Sequence, residues 1–433
     1  MSTSPLHIFV QNKHVGTLHQ NSLNDYRLQY VDGVTDNDCI SVTMLPSQAS
    51  SWHFRELPPV LLTSMPEGGV RKRISQRFAL DQHTYVDEVK LLLTVGKHLV
   101  GRLQIQTELP MDSGQRPHSP PIPFNELSYL LQNTPHQDIK QDLFGSLLSY
   151  SGVSGGFDKV LAHTSTAHTE TTSSDLQASQ HWIVKMDDDD HPALAVNEYL
   201  GMELCRLSGL PTPEVNLSSD LHRLLVARFD IKPDGSRYGF EDFCSLFGQH
   251  PSLKFSGSME KLCTLTGKLV SVAHLQSSCK QLYQHHVVNM AIRNCDAHLK
   301  NFAILYDNPN DIRLSPVYDV LTMSAYAPRA QNGDALDEPS LTVNGSHRWP
   351  TLKELSLLAT RLAISESEQV NISNTVCDAM RAMIPDFRNL AASNAFMRPT
   401  IARIAHLWGC GAAIHSESLA KDFYECSRII IGQ

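Results

Sequence analysis

The chain has 433 residues, of which 41% are hydrophobic and 19% charged, and this composition is typical of a globular protein with a sizeable core. Its formal net charge is −9, so duplex nucleic acid is not an obvious ligand, because such binding depends on clustered Lys and Arg. The nine cysteines are scattered singly, which argues against a disulfide framework and favours the reducing cytoplasm. The sequence has no long apolar run and no basic start followed by an apolar stretch, so we expect neither a membrane span nor a secretory signal.

The first 109 residues predict a small α+β unit. Apolar and polar residues alternate over 6–18 around a polar turn, which predicts a hairpin. Helical character over 58–78 is interrupted at Met65–Gly69. Further strands are expected at 39–45, 89–94 and 98–106.

The middle of the chain changes composition twice. Residues 110–123 contain five prolines and predict a linker, after which a helix is expected over 124–132. Residues 161–181 are rich in Ser, Thr and His and predict a mobile excursion, because they offer too little apolar surface to offset the entropy of ordering. Strands are expected on either side, at 157–162 and 182–186.

Helical patterns dominate from about residue 258 onward. A helix at 196–207 and a strand at 224–229 precede them, and the clearest later helices are expected at 281–292, 352–362, 365–383 and 396–407. Mixed α/β structure followed by helices predicts a two-lobed α+β molecule, with a smaller lobe over 124–250 and a helical lobe over 251–433.

The segment 296–319 contains carboxylate and amide side chains at a spacing that suits phosphoryl transfer. Asp296 precedes Asn301 by five residues in a polar loop, a predicted hairpin follows, and Asp319 ends its second strand. Protein kinases use the same interval in their catalytic loop, where the carboxylate orients the attacking hydroxyl and the amide oxygen reaches Mg²⁺. Hard oxygen donors suit that ion, so Asp319 is the expected second ligand. Taken alone, Asp296 and Asn301 could be ordinary turn residues, and Asp319 could simply end a strand. Their combination with the hairpin between them favours phosphoryl transfer.

Two upstream features would complete such a site. Residues 151–159 form a glycine-rich loop entering a strand, which can direct backbone N–H groups at phosphates, although glycine clusters more often mark ordinary turns. Lys185 lies inside the apolar strand 182–186, where an unpaired ammonium is costly. Glu198 on the next helix is a candidate partner for it, with a solvated helix position as the alternative. His298, inside the polar loop, is positioned to orient Asp296 or a phosphate.

These residues resemble the HipA family of bacterial toxin kinases. The similarity is carried by a catalytic-loop pattern over 294–302, a metal-site pattern over 316–320, and shorter matches at 197–199, 228–230, 241–244, 254–255, 341–345 and 383–385. The first 109 residues resemble the family's N-terminal subdomain, with landmarks at 15–18 and 65–67. The resemblance implies an α+β, bilobal protein-kinase-like (PI-kinase-like) fold with that extra subdomain and a mostly helical C-terminal lobe.

The resemblance also implies activity and partners. It implies transfer of the ATP γ-phosphate to protein Ser or Thr, with aminoacyl-tRNA synthetases as known substrates in the family, and growth arrest as the result. A small helix-turn-helix antitoxin dimer would hold the toxin and connect it indirectly to operator DNA. Asp296 would be the catalytic base, and Asn301 and Asp319 would bind Mg²⁺. ATP contacts are expected at Ser154, Gly155, Gly156, Phe157, Asp158, Lys159, Lys185, the hinge residues Ala227, Arg228 and Phe229, and His298, Lys300 and Tyr318.

The sequence departs from the family pattern at the glycine-rich loop. The autophosphorylated serine of the family falls on Gly152, so Ser151 is the first expected site of autophosphorylation and Ser154 the second. Two other functions stay open: a lipid or small-molecule kinase, because phosphatidylinositol kinases have similar loops, and an inactive kinase-like partner of a repressor.

Overall fold

The computed structural model describes residues 5–22, 24–77, 85–109, 152–155, 157–163, 181–329, 335 and 337–432. The predicted linker 110–123 and helix 124–132 lie outside these residues, as do Ser151, Gly156 and most of the predicted excursion 161–181. All nine cysteines lie within the described ranges and are unpaired, as predicted. None of the helices in those ranges combines the length and apolar character that a bilayer crossing requires.

The N-terminal unit is built on a five-stranded antiparallel sheet. Its strands are β1 Leu6–Val10, β2 Lys13–Ser22, β3 Asp25–Tyr30, β4 Ser51–Phe54 and β5 Leu103–Gln106, in the order β4-β3-β2-β1-β5. The predicted first hairpin is confirmed. Its turn residues, Gln11 and Asn12, both have positive φ (48° and 70°), as in the two-residue turns that match strand twist.

Two predicted strands of this unit are wrong. Residues 39–45 form turns after a short 3₁₀ helix at Asp36–Asp38. The apolar residues Cys39, Ile40, Val42 and Met44 are buried although they do not belong to a strand. Residues 89–94 belong to a helix. The strand prediction failed because the periodicity of a short apolar run does not distinguish a buried strand from a buried helix. The helices of the unit are α1 Pro59–Leu62, α2 Gly68–Arg77 and α3 Tyr85–Val95, so the predicted break at 65–69 is confirmed.

The smaller lobe contains a four-stranded antiparallel sheet. Its strands are β6 Lys159–His163, β7 His181–Met186, β8 Val215–Leu217 and β9 Arg223–Ala227, in the order β6-β7-β9-β8. The helix α4, Leu194–Leu207, contacts β7, β8 and β9. All of these except β8 were expected from the sequence, with shifts of a few residues at their ends.

The larger lobe is mostly helical, with one three-stranded sheet. The sheet holds β10 Gly239–Asp242, β11 Ala303–Tyr306 and β12 Ile312–Leu314, of which the last two form the predicted hairpin. The helices are α5 Phe243–Leu246, α6 Met259–Leu269, α7 Val272–Ala291, α8 Leu352–Arg361, α9 Glu366–Ala382, α10 Ile384–Ser393, α11 Arg398–Ala412 and α12 Glu417–Ile431. The α+β order predicted from the sequence is therefore observed.

The N-terminal unit shares its hydrophobic core with the smaller lobe. One cluster of buried side chains joins the five-stranded sheet to residues of β6, β7 and β9, including Val160, Trp182 and Leu225. A second cluster fills the helical lobe and also takes in Cys39 and Val42 of the N-terminal unit. The N-terminal unit therefore packs against both lobes.

A short segment, residues 99–102, connects the N-terminal unit to both sides of the cleft, and we call it the brace. Val100 N donates to Gly152 O at 3.1 Å, at the start of the glycine-rich loop. Gly101 N donates to Asp230 Oδ2 at 2.7 Å. The buried guanidinium of Arg102 donates to Asp307 O at 2.8 Å, on the β11–β12 hairpin of the helical lobe.

Candidate active site

The polar loop after α7 is held in place by its own side chains. Arg293 follows the helix with a φ of +57°, a conformation that L-residues rarely adopt and that turns the chain sharply. Asn294 then donates through Nδ2 to Asn289 Oδ1 at 2.9 Å, which ties the loop to the helix end. At the other end of the loop, Asn301 Oδ1 accepts from His298 N at 3.1 Å. The loop is therefore preorganised by local hydrogen bonds.

Asp319 lies where this loop meets the smaller lobe. Asn301 Nδ2 donates to Asp319 Oδ2 at 2.7 Å, and Lys185 Nζ donates to Asp319 Oδ1 at 2.8 Å. Burial opposes ionisation, but the nearby Lys185 and Lys159 ammonium groups hold the pKa of Asp319 well below its usual range. Its φ of +60° is unfavourable for a non-glycine residue, as is common where function fixes the backbone. Asp319 is therefore an ionised acid at the centre of the cleft.

Lys185 is also paired with the acid of the neighbouring helix. Its Nζ lies 2.5 Å from Glu198 Oε1, and the two side chains are 11% and 5% exposed. Burial opposes the charge on Lys185, but Asp319 and Glu198 together raise its pKa. Gly201 lets α4 pack closely against the backbone that follows Asp319, because a Cβ at this position would lie 2.0 Å from Val320 O. The candidate partnership of Lys185 and Glu198 is therefore present.

A second lysine faces the same cleft. Lys159 on β6 is paired directly with Lys185 on β7, although like charges at opposed positions destabilise a sheet. Its Nζ donates to Ser154 O at 3.1 Å, and within the described ranges no carboxylate forms a salt bridge with it. Burial and then Lys185 lower the pKa of Lys159. An anionic ligand is the natural complement of this pair.

Asp296 lies on the loop beside these charges and is only partly buried. Burial raises the pKa of its carboxyl to about 7, and the negative charge of Asp319 acts in the same direction, while Lys254 opposes both. A carboxyl with a pKa near neutrality can take up and release a proton at physiological pH.

A cavity opens between the lobes at Lys159, Lys185 and Asp319, and neither Asp296 nor Asn301 is among the residues that line it. Its accessible volume is about 90 Å³. It is lined by Thr63, Ser64, Glu67, Val100, Val153, Ser154, Gly155, Lys159, Ile183, Lys185, Val226, Phe229, Phe240, Asp242, Lys254, His298, Lys300, Tyr318 and Asp319. Its charged side chains form the pairs Lys185–Asp319, Glu67–Lys254 and Lys300–Asp242, Glu67 also contacts Ser154 and Lys300, and we call this group the charged end of the cavity. The rings of Phe229, Phe240 and Tyr318 pack on one another. Such a lining suits a ligand with a flat apolar part and an anionic tail.

Nine of the residues expected to bind ATP or metal line this cavity: Ser154, Gly155, Lys159, Lys185, Phe229, His298, Lys300, Tyr318 and Asp319. The side chains of four others do not. The Phe157 ring packs on His191 at 5.0 Å, Arg228 pairs with Asp230, and Asp158 and Ala227 are absent from the lining. Asn301 does not line the cavity itself but is hydrogen-bonded to Asp319, which does. Gly156 lies outside the described residues.

Ten lining residues had no role predicted from the sequence, and four of them, Thr63, Glu67, Asp242 and Lys254, contact lysines or carboxylates of the cavity. Lys300 Nζ donates to Asp242 Oδ2 at 2.7 Å and to Thr63 O at 3.0 Å. Glu67 and Lys254 form an ion pair of 2.9 Å. The segments that contain Glu67, Asp242 and Lys254 had been noted only for their family resemblance, and nothing local in the sequence brings them together.

The metal-binding prediction can be compared with the donor set. Asp319 supplies a carboxylate of the type that Mg²⁺ prefers, and this ion is commonly held by one or two carboxylates plus substrate phosphates. The Asn301 amide directs Nδ2 at Asp319 and Oδ1 at His298 N, so it would have to turn to offer its oxygen to the ion. Within the described residues, no group of three or more His, Cys, Asp and Glu side chains is arranged to hold a metal by itself. The residues present therefore fit an ion that arrives with a phosphate ligand.

Comparison with known proteins gives a consistent picture. Residues 6–106 match the model of the HipA N-terminal domain, and residues 151–384 match that of the HipA-like C-terminal domain. Two Sinorhizobium fredii proteins whose names mark them provisionally as kinases are similar to this chain. Y4dM is 24% identical over 76% of this chain and 76% of its own length. Y4mE is 27% identical over 75% of this chain and 79% of its own length. A chain from the complex of the Shewanella oneidensis MR-1 toxin–antitoxin system HipA, HipB and operator DNA shares the fold at a TM-score of 0.60 and 14% identity, with 99% of this chain and 97% of that chain covered.

Proposed function

The chain belongs to the HipA family and has its bilobal α+β kinase-like fold, and from this premise we propose that it is an ATP-dependent protein Ser/Thr kinase and the toxin of a HipBA-like toxin–antitoxin system. The observation that carries the proposal is that Lys185 and Asn301 both donate hydrogen bonds to Asp319, and that Lys185 and Asp319 line one cavity. Phosphoryl transfer depends mainly on positioning and charge neutralisation, which this arrangement suits.

Each residue has a role in the proposed reaction. The acceptor hydroxyl oxygen attacks the γ-phosphorus of ATP, the bond to the β-phosphate oxygen breaks, and ADP leaves. Asp296 orients the hydroxyl and accepts its proton, for which its raised pKa is suited. Lys185 and Lys159 contact the phosphates. Asn301 and Asp319 would hold Mg²⁺, which would neutralise charge on the phosphate oxygens.

The biological setting of the proposal follows from the family. The acceptor is a protein serine or threonine, with an aminoacyl-tRNA synthetase as the first candidate, and its modification would arrest translation and favour persistence. The expected partner is a helix-turn-helix antitoxin dimer that contacts operator DNA itself. The solved Shewanella relative is a complex with HipB and operator DNA, which supports this partner. A cytoplasmic location is expected for such a system.

Autophosphorylation is the most direct test of the activity. The purified protein is incubated with ATP and Mg²⁺ and analysed by peptide mass spectrometry. We expect phosphate on a serine of the glycine-rich loop, at Ser151 or Ser154, of which the second lines the cavity. Asp296→Gln should abolish the modification with an unchanged unfolding temperature.

A matched control is Asp378→Asn, because the Asp378 side chain is 78% exposed and lies on α9, away from the cavity. This variant should retain full activity. Phosphate incorporation by Asp296→Gln at the wild-type rate would contradict the assignment of the base. Transfer to an inositol lipid with none to any protein would replace the protein acceptor by a lipid, and ATP binding without any transfer would indicate an inactive partner of a repressor.

A further inference from the structure

Glu67 brings a carboxylate from the N-terminal unit into the charged end of the cavity. It lies just before α2, and its side chain is 18% exposed. Its Oε1 accepts from Ser154 Oγ at 2.8 Å, and its Oε2 accepts from Lys254 Nζ at 2.9 Å. Lys300 Nζ lies 3.8 Å from Oε1. Glu67 therefore bridges the glycine-rich loop and two lysines of the helical lobe.

Lys254 lies beside the catalytic loop. Its carbonyl oxygen accepts from Leu299 N at 3.0 Å, and the ring of the next residue, Phe255, packs on the His298 ring at 5.3 Å. Lys254 also lines the cavity together with His298 and Lys300, which belong to the loop that carries Asp296. In a kinase, the base contacts the acceptor hydroxyl, and the γ-phosphate that this hydroxyl attacks is the nearest of the three phosphates.

The lysines at this end of the cavity differ in their carboxylate partners. Lys185 has Glu198 and Asp319, and Lys300 has Asp242 at 2.7 Å. For Lys254, Glu67 is the salt-bridge partner in the described part of the chain. Burial favours protonation of Glu67, but Lys300, Lys254 and the Ser154 hydroxyl outweigh it and lower its pKa, so the group is an anion.

A phosphate that binds to Lys254 has to displace the Glu67 carboxylate from this lysine. Glu67 lies between Ser154 and Lys254, at the end where the cationic groups gather. A carboxylate in this place resembles a phosphate in charge and in its hydrogen-bond acceptors.

We propose that Lys254 binds the γ-phosphate of ATP and that Glu67 occupies this lysine in the free protein, so that ATP binding exchanges one anion for another. This inference rests on the proposed kinase function and adds a residue to its phosphate site. The N-terminal unit thereby takes part in nucleotide selection. ADP, which lacks the γ-phosphate, has no need to displace Glu67.

The test compares the dissociation constants of Mg–ATP and Mg–ADP by isothermal titration calorimetry on the full chain. Lys254→Gln should weaken ATP binding by about tenfold, because a hydrogen bond to a charged group is lost, and leave ADP binding within about twofold. Glu67→Gln should strengthen ATP binding by about threefold or more, because the competing charge is removed, and leave ADP binding unchanged. Matched controls are the exposed Glu56→Gln and Lys268→Gln.

The outcomes separate this inference from the proposed function. If Glu67→Gln weakens ATP binding, or changes ATP and ADP binding equally, Glu67 stabilises the unit without competing and the inference is wrong. If Lys254→Gln affects both nucleotides alike, the γ-phosphate contact is wrong, while the wild-type phosphotransfer activity still supports the kinase. If the wild type binds no ATP, both proposals fail.

Discussion

Replacing Lys185 by Met removes the cation that is hydrogen-bonded to both Glu198 and Asp319. Glu198 Oε1 lies 2.5 Å and Asp319 Oδ1 2.8 Å from its ammonium group, and the three side chains are 5%, 21% and 11% exposed for Glu198, Asp319 and Lys185. After the substitution, two carboxylates face each other in a poorly hydrated site. Burial and Asp319 already raise the pKa of Glu198, so this acid is the one that we expect to take up a proton.

The cost can be bounded from the geometry. Breaking a buried ion pair on one side costs about 3–5 kcal/mol in general. Asp319 keeps the Asn301 Nδ2 donor and is partly hydrated, so the lower end, about 3 kcal/mol, is expected here. For a chain of this size, each kcal/mol lowers the unfolding temperature by about 2 °C, which gives a decrease of about 6 °C.

A second substitution should recover this loss. Lys185→Met combined with Glu198→Met replaces the pair by apolar side chains of similar volume, which in other proteins is often neutral or stabilising. We expect the double variant to regain most of the lost unfolding temperature while it stays inactive, because the phosphate contact is still missing. Lys421→Met is the control, since its pair with Glu417 is 72% and 83% exposed and should shift the transition by less than about 1 °C.

The assay is thermal unfolding followed by tryptophan fluorescence, supported by the buried Trp182 three residues before Lys185 on the same strand. Phosphotransfer is measured on the same samples. An unchanged unfolding temperature for Lys185→Met, or a double variant no more stable than the single one, would show that the three charges are not energetically coupled.

Three further predictions follow from the described contacts. Asn301→Ala should raise the Mg²⁺ concentration for half-maximal phosphotransfer by about tenfold, as loss of a metal contact commonly does, and a Mg²⁺ titration at fixed ATP would measure it; an unchanged midpoint would exclude Asn301 as a ligand. Burial lowers the pKa values of His285 and His286 to about 3 and 4, below their unfolded value near 6.5, so their contribution to stability is lost as pH falls below 6.5, by about 2 kcal/mol each at pH 5. The double Gln variant should therefore lose less unfolding temperature between pH 7 and pH 5 than the wild type, and an equal loss would assign the acid sensitivity to other groups. Gly152→Ser should lower the unfolding temperature, because a Cβ there would lie 2.8 Å from Leu99 Cδ2 and 2.9 Å from His98 O, whereas Gly267→Ser, where a Cβ meets nothing within 4 Å, should have little effect.

The parts of the site that could be predicted from the sequence are those with a local signal. Asp296 and Asn301 are five residues apart in one loop, and the hairpin that leads to Asp319 has a regular apolar pattern. Lys185 is conspicuous because it interrupts an apolar strand, and Glu198 lies on the next helix. Each of these predictions needed only short-range geometry.

The parts that could not be predicted depend on long-range packing. Glu67 and Lys254 are 187 residues apart, and no periodicity or motif chemistry relates them. Residues 89–94, predicted as a strand, belong to the helix Tyr85–Val95, whose apolar residues Leu91, Leu92 and Val95 are buried in the core shared with the smaller lobe. A short apolar run of this kind does not distinguish a buried helix from a buried strand. Tertiary contacts decided both cases.

The brace at 99–102 has a consequence for how the protein could be divided. The N-terminal unit also donates Ser41 Oγ and Val42 N to the buried carboxylate of Glu241, at 2.6 and 2.9 Å, on a strand of the helical lobe. Cutting the chain after residue 109 would strip this acid of two of its donors and would open the seam along β6, β7 and β9 to water. We therefore expect that no minimal catalytic fragment can be excised from this chain by such a cut: a gene that lost its first quarter would encode an insoluble remnant rather than an unregulated enzyme.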